Sequence, residues 1–145
     1  MKVAIKKIEY MPVARIFSWS HVGRNDSLKV SNFVDGPYNE LKFTPLSASL
    51  EEEWMESTSG NYSQVKVSGV IRADKMAMRN ILSSLVVTRN IFRITCVNEQ
   101  KYVVGSLDFT PKTLFKLIIS ELTTSEYQFT ITSKSPHGIV YDTSL

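Results

Sequence analysis

The sequence predicts a mainly β domain, an antiparallel β-barrel or β-sandwich of about eight strands with one flanking α-helix over about 74–87. Three observations predict it. Short runs of alternating apolar and polar residues recur between clusters of turn residues. One stretch, "ADKMAMRNILSSLVV", changes to a helical period. The composition, 43% hydrophobic and 21% charged, is that of a chain with enough apolar surface to fold. At 145 residues the chain reads as a single domain, 1–145, long enough to bury most of the surface its unfolded form exposes.

The opening run "VAIKKIEY" puts Val3, Ile5 and Lys7 on one face of a strand and Ala4, Lys6 and Ile8 on the other. "ARIFSWSHV" sets Arg15, Phe17 and Trp19 against Ile16, Ser18 and Ser20. Residues 23–40 are rich in Gly, Asn, Asp and Ser and read as a long loop with a turn at "DGPY". "ELKFTPLS" is a short strand stopped by Pro45, which has no N–H to give a central ladder. "NYSQVKVSGVI" alternates cleanly, with Val65, Val67, Gly69 and Ile71 opposing Gln64, Lys66 and Ser68.

In the helical stretch, Met78, Ile81, Leu82 and Leu85 fall on one stripe, and Arg79, Asn80, Ser83 and Ser84 take the outer face. Asp74 is the expected N-cap, because its carboxylate can accept a free N–H of the first turn. "NIFRITCVNEQKYVVGS" then returns to period two, with Phe92, Ile94 and Cys96 on the apolar face and a hairpin turn at "NEQ". "FTPKTLFKLIISEL" fits both periods. Thr110–Pro111 is a respectable helix start, with Leu114, Phe115, Ile118 and Leu122 as its stripe. As a strand, Phe115, Leu117 and Ile119 oppose Lys116 and Ser120. The alternating "YQFTITSKS" beyond the turn at "TTSE" favours the strand, since it supplies a hairpin partner. Trp54, Met78, Leu82, Phe92 and Phe129 are the expected core anchors.

Charge and cysteine usage exclude several classes. The net charge is +3, and no basic run is longer than Lys6–Lys7, so no dense electrostatic footprint for nucleic acid is present. Cys96 is the only cysteine. It rules out an intrachain disulfide and a two-thiol metal site, and it is expected as a small buried hydrophobe. The segment "KVAIKKIEYMPV" is too short and too charged for a signal peptide. No apolar run approaches the roughly 18 residues of a membrane span. The expectation is therefore synthesis in the cytoplasm and no membrane contact. "NDS" and "NYS" match the glycosylation pattern by chance on this reading.

The search for chemistry is equally restrictive. His21 and His137 stand apart in polar surroundings and form no spaced ligand pair. There is no G-x-S-x-G, no phosphate-binding glycine loop and no G-x-G-x-x-G. No metal, no cofactor and no catalytic residue are expected, and the chain is not read as an enzyme. A small basic barrel with aromatics on its strands can bind single-stranded nucleic acid in the manner of an OB-fold. Tyr62, Lys66, Arg93, Lys101 and Tyr102 would form that surface if the central strands pair. The plainer reading, packed aromatics and solubilising lysines, is preferred.

The densest block of negative charge is "SLEEEWMESTSGNYSQ". Ser49 and Glu52 match a capping box, but "WMESTSGNY" would end any helix within two turns. As a strand, Leu50, Glu52 and Trp54 share a face, and "STSGN" becomes a hairpin loop into residues 62–71. Pairing Trp54 with Val65 sets Glu53 opposite Lys66 and Met55 opposite Gln64. It also leaves Glu52 beside Val67 on the apolar side, where a carboxylate must find a cation, solvent or another chain.

The core from "ASLEEEWMESTSGNYSQVKVSGVI" through the helix to "FRITCVNEQKYVVGSLD", with the closing "YQFTITSKSPHGIVY", resembles small structural proteins of tailed bacteriophages and prophages of Bacteroidetes bacteria. The resemblance covers about two-thirds of the chain and is weakest in the N-terminal 45 residues. It implies a virion part of the neck or tail: a head–tail connector, terminator, tail-tube or baseplate subunit. Such a subunit would be made and assembled in the bacterial cytoplasm. It also implies a ring-shaped homo-oligomer, contacts with other neck or tail proteins, and nucleic acid only as a lumen contact. It brings no catalytic residues. On this reading the subunit interface draws on Glu51, Glu52, Glu53, Lys66, Arg79 and Arg93.

Overall fold

The structure is a computed structural model, and it describes residues 2–22, 28–34, 38–72, 76–105, 109–119, 125–136 and 140–142. Among the described residues, eleven strands, a 3-10 turn at Val13–Arg15 and one α-helix follow in chain order. The strands are β1 (Lys2–Pro12), β2 (Ile16–Val22), β3 (Leu28–Val34), β4 (Asn39–Leu41), β5 (Ser49–Ser57) and β6 (Gly60–Arg72). Helix α1 (Met76–Val87) comes next, then β7 (Asn90–Cys96), β8 (Lys101–Val104), β9 (Lys112–Ile118), β10 (Glu126–Ser135) and β11 (Val140–Asp142). The hydrogen-bonded order is β2-β3-β11-β8-β7-β1-β5-β6-β10-β9, with β4 also on β1. Among the described residues the two ends of this order do not meet, so the sheet folds over as a sandwich and does not close into a barrel.

The fold turns on β1, which belongs to both halves. Its first residues, Lys2 to Ala4, pair with β5, while Ile5 to Pro12 pair with β7. Between Ile5 and Lys7 the register slips by one residue, because Cys96 faces Ile5 and Thr95 faces Lys7. That is a β-bulge with Lys6 as the extra residue. In a regular strand Ile5 and Ile8 lie on opposite faces. The bulge brings both into the core and leaves Lys6 and Lys7 exposed. A bulge also sharpens the local twist, which suits a strand that passes from one half of the sandwich to the other.

The core is one cluster drawn from both halves and the helix. Leu50, Val65, Val67, Ile71, Tyr127, Phe129 and Ile131 come from β5, β6 and β10. Ile5, Ile8, Leu41, Phe92, Ile94, Cys96, Tyr102 and Val104 come from the other half. Leu82 and Leu85 of α1 complete it, with Met78 and Ile81 packed at its margin. Arg79, Asn80, Ser83 and Ser84 stay exposed, as the stripe requires. The helix lies against β9. Full burial of a leucine stabilises by roughly 1.5–3 kcal/mol, so Leu82 and Leu85 hold α1 down. Thr88 closes its last turn, with both its N–H and its hydroxyl donating to the Ser84 carbonyl, at 3.0 and 2.6 Å. The expected N-cap, Asp74, lies outside the described residues.

Three expectations about elements are settled here. Residues 112–118 form a strand, paired residue by residue with β10 from Ile118–Glu126 to Lys112–Thr132. Within the stretch read as a long loop, residues 28–34 form β3, which pairs antiparallel with β2 and parallel with β11. Polar composition there hid a strand whose backbone pairs with the preceding strand on one side and with β11, at the other end of the chain, on the other. Trp54 is not a core anchor: it stands 55% exposed, whereas Leu82, Phe92 and Phe129 are fully buried.

Candidate functional site: the outer face and free edge of β5-β6-β10-β9

The β5–β6 hairpin sets the geometry of this half. Its turn is Thr58–Ser59, closed by Gly60 at φ 118°, a conformation open mainly to glycine. The Ser57 hydroxyl donates to the Gly60 carbonyl at 2.7 Å. The register pairs Trp54 with Ser63, Glu53 with Gln64, Glu52 with Val65 and Glu51 with Lys66. This is two residues away from the pairing of Trp54 with Val65 that the sequence suggested. A shift of two keeps every side chain on its predicted face. It also carries Trp54 closer to the hairpin tip, beyond the part of the face that the rest of the sandwich covers.

Glu52 therefore sits where the apolar face ends, between buried Leu50 and exposed Trp54. The fully buried Ser63 hydroxyl donates to Glu52 Oε2 at 3.2 Å. This bond reaches diagonally across the strand pair. Glu52 thus has a partner within the chain.

The opposite face of the hairpin looks outward. Cross-strand pairing lines up one row over four strands: Glu51, Lys66, Thr132 and Lys112. The next row toward the hairpin tip reads Glu53, Gln64 and Lys134. Acidic groups thus occupy β5, and lysines occupy β6, β10 and β9. Among the described residues no ion pair joins Glu51 or Glu53 to these lysines. The Lys134 ammonium lies over the Tyr62 ring, 5.8 Å from its centroid.

The last strand, β9, pairs with β10 on one side only among the described residues. Leu114 on its outer face is 56% exposed, Leu117 on its inner face is 42% exposed, and Ile119 just past its end is 74% exposed. On the outer face of this edge Leu114 stands between Lys112 and Lys116. An edge of this kind presents unpaired N–H and C=O groups to any strand that meets it.

The other residues singled out from sequence are dispersed. Arg93 on β7 donates from Nε and Nη2 to the two carboxylate oxygens of Glu9 on β1, at 3.1 and 3.0 Å. Its guanidinium also lies 4.1 Å from the centroid of the Tyr38 ring. It is committed within the chain. Arg79 is exposed on α1, on an element apart from the acidic strand. The expected aromatic–basic nucleic-acid surface does not assemble, because Tyr102 is buried and Arg93 is paired.

Among the described residues no cluster of three or more His, Cys, Asp or Glu could hold a metal ion. No described helix is long and apolar enough to cross a membrane. Cys96 is buried, and burial raises its thiol pKa. The side chain of His21 and all of His137 lie outside the described residues. The free edge escaped the sequence reading because exposure depends on which strand comes last in the sheet order. The run "TLFKLII" carries no local mark of that place. In comparison with known proteins, no family model matches the chain, and no curated protein and no solved structure matches it either.

Proposed function

We propose that this protein is a structural subunit that works by assembling with copies of itself, as a ring-forming part of the neck or tail of a phage-like particle. The observation that carries the reading is the free β9 edge with exposed Leu114, Leu117 and Ile119. Natural edges that must stay monomeric are shortened, bulged or given charges; β9 carries Lys112 and Lys116 on its outer face, but its inward residues Thr113, Phe115 and Leu117 are uncharged. This edge is seven residues long and leaves Leu114 and Leu117 exposed. A head-to-tail contact made through such an edge closes into a ring when the rotation per subunit allows it. The place in a virion rests on the resemblance described above and not on the edge.

Glu51 and Glu53 fit the same reading. They are exposed on the outer face with no cation paired to them among the described residues, and they are available to a Lys or Arg of the adjacent subunit. Sedimentation velocity over a range of concentrations tests the proposal. The full chain should sediment as an oligomer, Leu114→Lys with Ile119→Lys should return it to a monomer, and Glu51→Lys with Glu53→Lys should weaken assembly. An oligomer untouched by the edge substitutions would remove β9 from the contact.

A further inference from the structure

A hollow of about 540 Å³ opens on the outer face where β9 and β10 meet the segment before them, lined by Phe109, Thr110, Lys112, Thr132 and Lys134. Its size is in the range of small-ligand sites. Among the described residues no carboxylate lines it. Thr132 is the direct cross-strand neighbour of Lys112 on one side and of Lys66 on the other. Lys134 lies two residues along on the same face. Arg89, beyond the end of α1, reaches the rim by donating from Nε to the Thr110 hydroxyl at 3.4 Å. Lys112 and Lys134 thus line the hollow beside two threonines, with Lys66 next to Thr132 on a third strand, Arg89 at the rim, and a partly exposed aromatic ring, Phe109, as one wall.

Lysines on an edge strand have an ordinary role, which is to discourage edge-to-edge pairing. That role covers Lys112 and Lys116 on β9. It leaves out Lys134 and Lys66, which lie on the interior strands β10 and β6. The wall is also braced. Gly105 adopts φ 95°, and a Cβ there would collide with the Pro111 ring and stand 3.4 Å from the Phe109 carbonyl oxygen. Pro111 itself is buried. The segment that carries Phe109 and Thr110 is thus seated against the chain by close packing.

We propose that this hollow binds the phosphate of a nucleotide unit, with Lys112, Lys134 and the Thr132 hydroxyl on the phosphate oxygens and Phe109 against the base. Ammonium and hydroxyl donors around a dianion form charge-assisted hydrogen bonds. Stacking on an aromatic ring favours bases without selecting among them. The unit can be a free nucleotide or part of a single strand. The proposal does not rest on ring assembly, and a monomeric chain would show it equally.

The test is an amide-resolved NMR titration of the full chain at low salt with thymidine monophosphate, thymidine, inorganic phosphate and a short oligothymidylate. Thymidine monophosphate or the oligomer should move the signals of Thr110, Lys112, Thr132 and Lys134, and thymidine alone should not. A much tighter oligomer identifies a strand as the source, and equal affinities identify the free nucleotide. Lys112→Gln with Lys134→Gln should weaken binding roughly tenfold or more. These side chains are exposed, so the fold should survive, which circular dichroism checks. Three results would overturn the proposal: no movement at these residues up to millimolar ligand, unchanged affinity in the double variant, or equal binding of a short polyglutamate.

Discussion

Arg93 clasps Glu9 with two parallel hydrogen bonds across the β1–β7 pairing, where the two residues stand directly opposite. The side chains are only 16% and 11% exposed. They lie among buried Met11, Ile91 and Val103, on the face of β1, β7 and β8 turned away from the main core. The fork geometry satisfies both carboxylate oxygens, and Tyr38 covers the guanidinium. Sequence alone offered Arg93 as a surface cation. In the fold it is a structural group with both of its needs met inside the chain.

Removing one partner should therefore cost far more than the pair itself is worth. Glu9→Ala leaves the Arg93 charge without its carboxylate in a poorly solvated place, at about 3–5 kcal/mol, and Arg93→Ala should cost less because Lys7 Nζ stays 3.8 Å from Glu9 Oε2. Replacing both with Leu should recover much of that loss. Urea unfolding of the three variants measures it. Single substitutions that cost no more than breaking an exposed pair such as Lys6–Glu99 would show that Glu9 and Arg93 are solvated.

Much of the fold was legible in the chain. The faces of residues 62–71 and 127–132, the helical stripe at Met78, Ile81, Leu82 and Leu85, and the burial of Cys96 all follow from local alternation, because burial on one side enforces the period. What was not legible depended on partners distant in sequence. The bulge at Lys6 is visible only against Cys96 and Thr95. The strand at Leu28–Val34 is held on one side by β11, at the other end of the chain. Trp54 kept its face but lost its burial, because two residues of register separate the covered part of β5 from the tip. The candidate site was legible in part: Glu51, Glu53 and Lys66 were named, but Lys112, Thr132 and Lys134 come together only through the order β6-β10-β9.

Gly69 marks the tightest place in that half. A Cβ there would stand 2.8 Å from Phe129 Cζ and 3.0 Å from both Phe129 Cε1 and Ala48 Cβ. Phe129 is itself fully buried and has little room to yield. Gly69→Ala should destabilise by about 1–3 kcal/mol through overpacking. Adding Phe129→Leu should cost less in the Gly69→Ala background than alone, because it makes the room that the methyl needs. Thermal unfolding of the four-member cycle reads the coupling, and strict additivity would mean that the ring does not block this site.

Alkaline pH tests the buried thiol. Burial raises the pKa of Cys96, and likewise that of Tyr10. Both groups keep their protons more tightly in the folded state than in the unfolded chain. Their contribution is complete below the unfolded values and is lost as pH rises through the folded ones. Stability should hold level from neutral pH to the ordinary thiol range and then fall, less steeply in Cys96→Ala with Tyr10→Phe. Thiol reagents should label native Cys96 only as fast as the protein opens. Labelling at the rate of a free cysteine would place the thiol at the surface.

The most direct measurement is native mass spectrometry of the full chain, whose subunit mass is 16.4 kDa. Assembly through the β9 edge predicts one dominant species at a fixed whole-number multiple of that mass, replaced by the single subunit when Leu114 and Ile119 are both changed to lysine. A spectrum holding only the 16.4 kDa subunit from micromolar to millimolar concentration would contradict it.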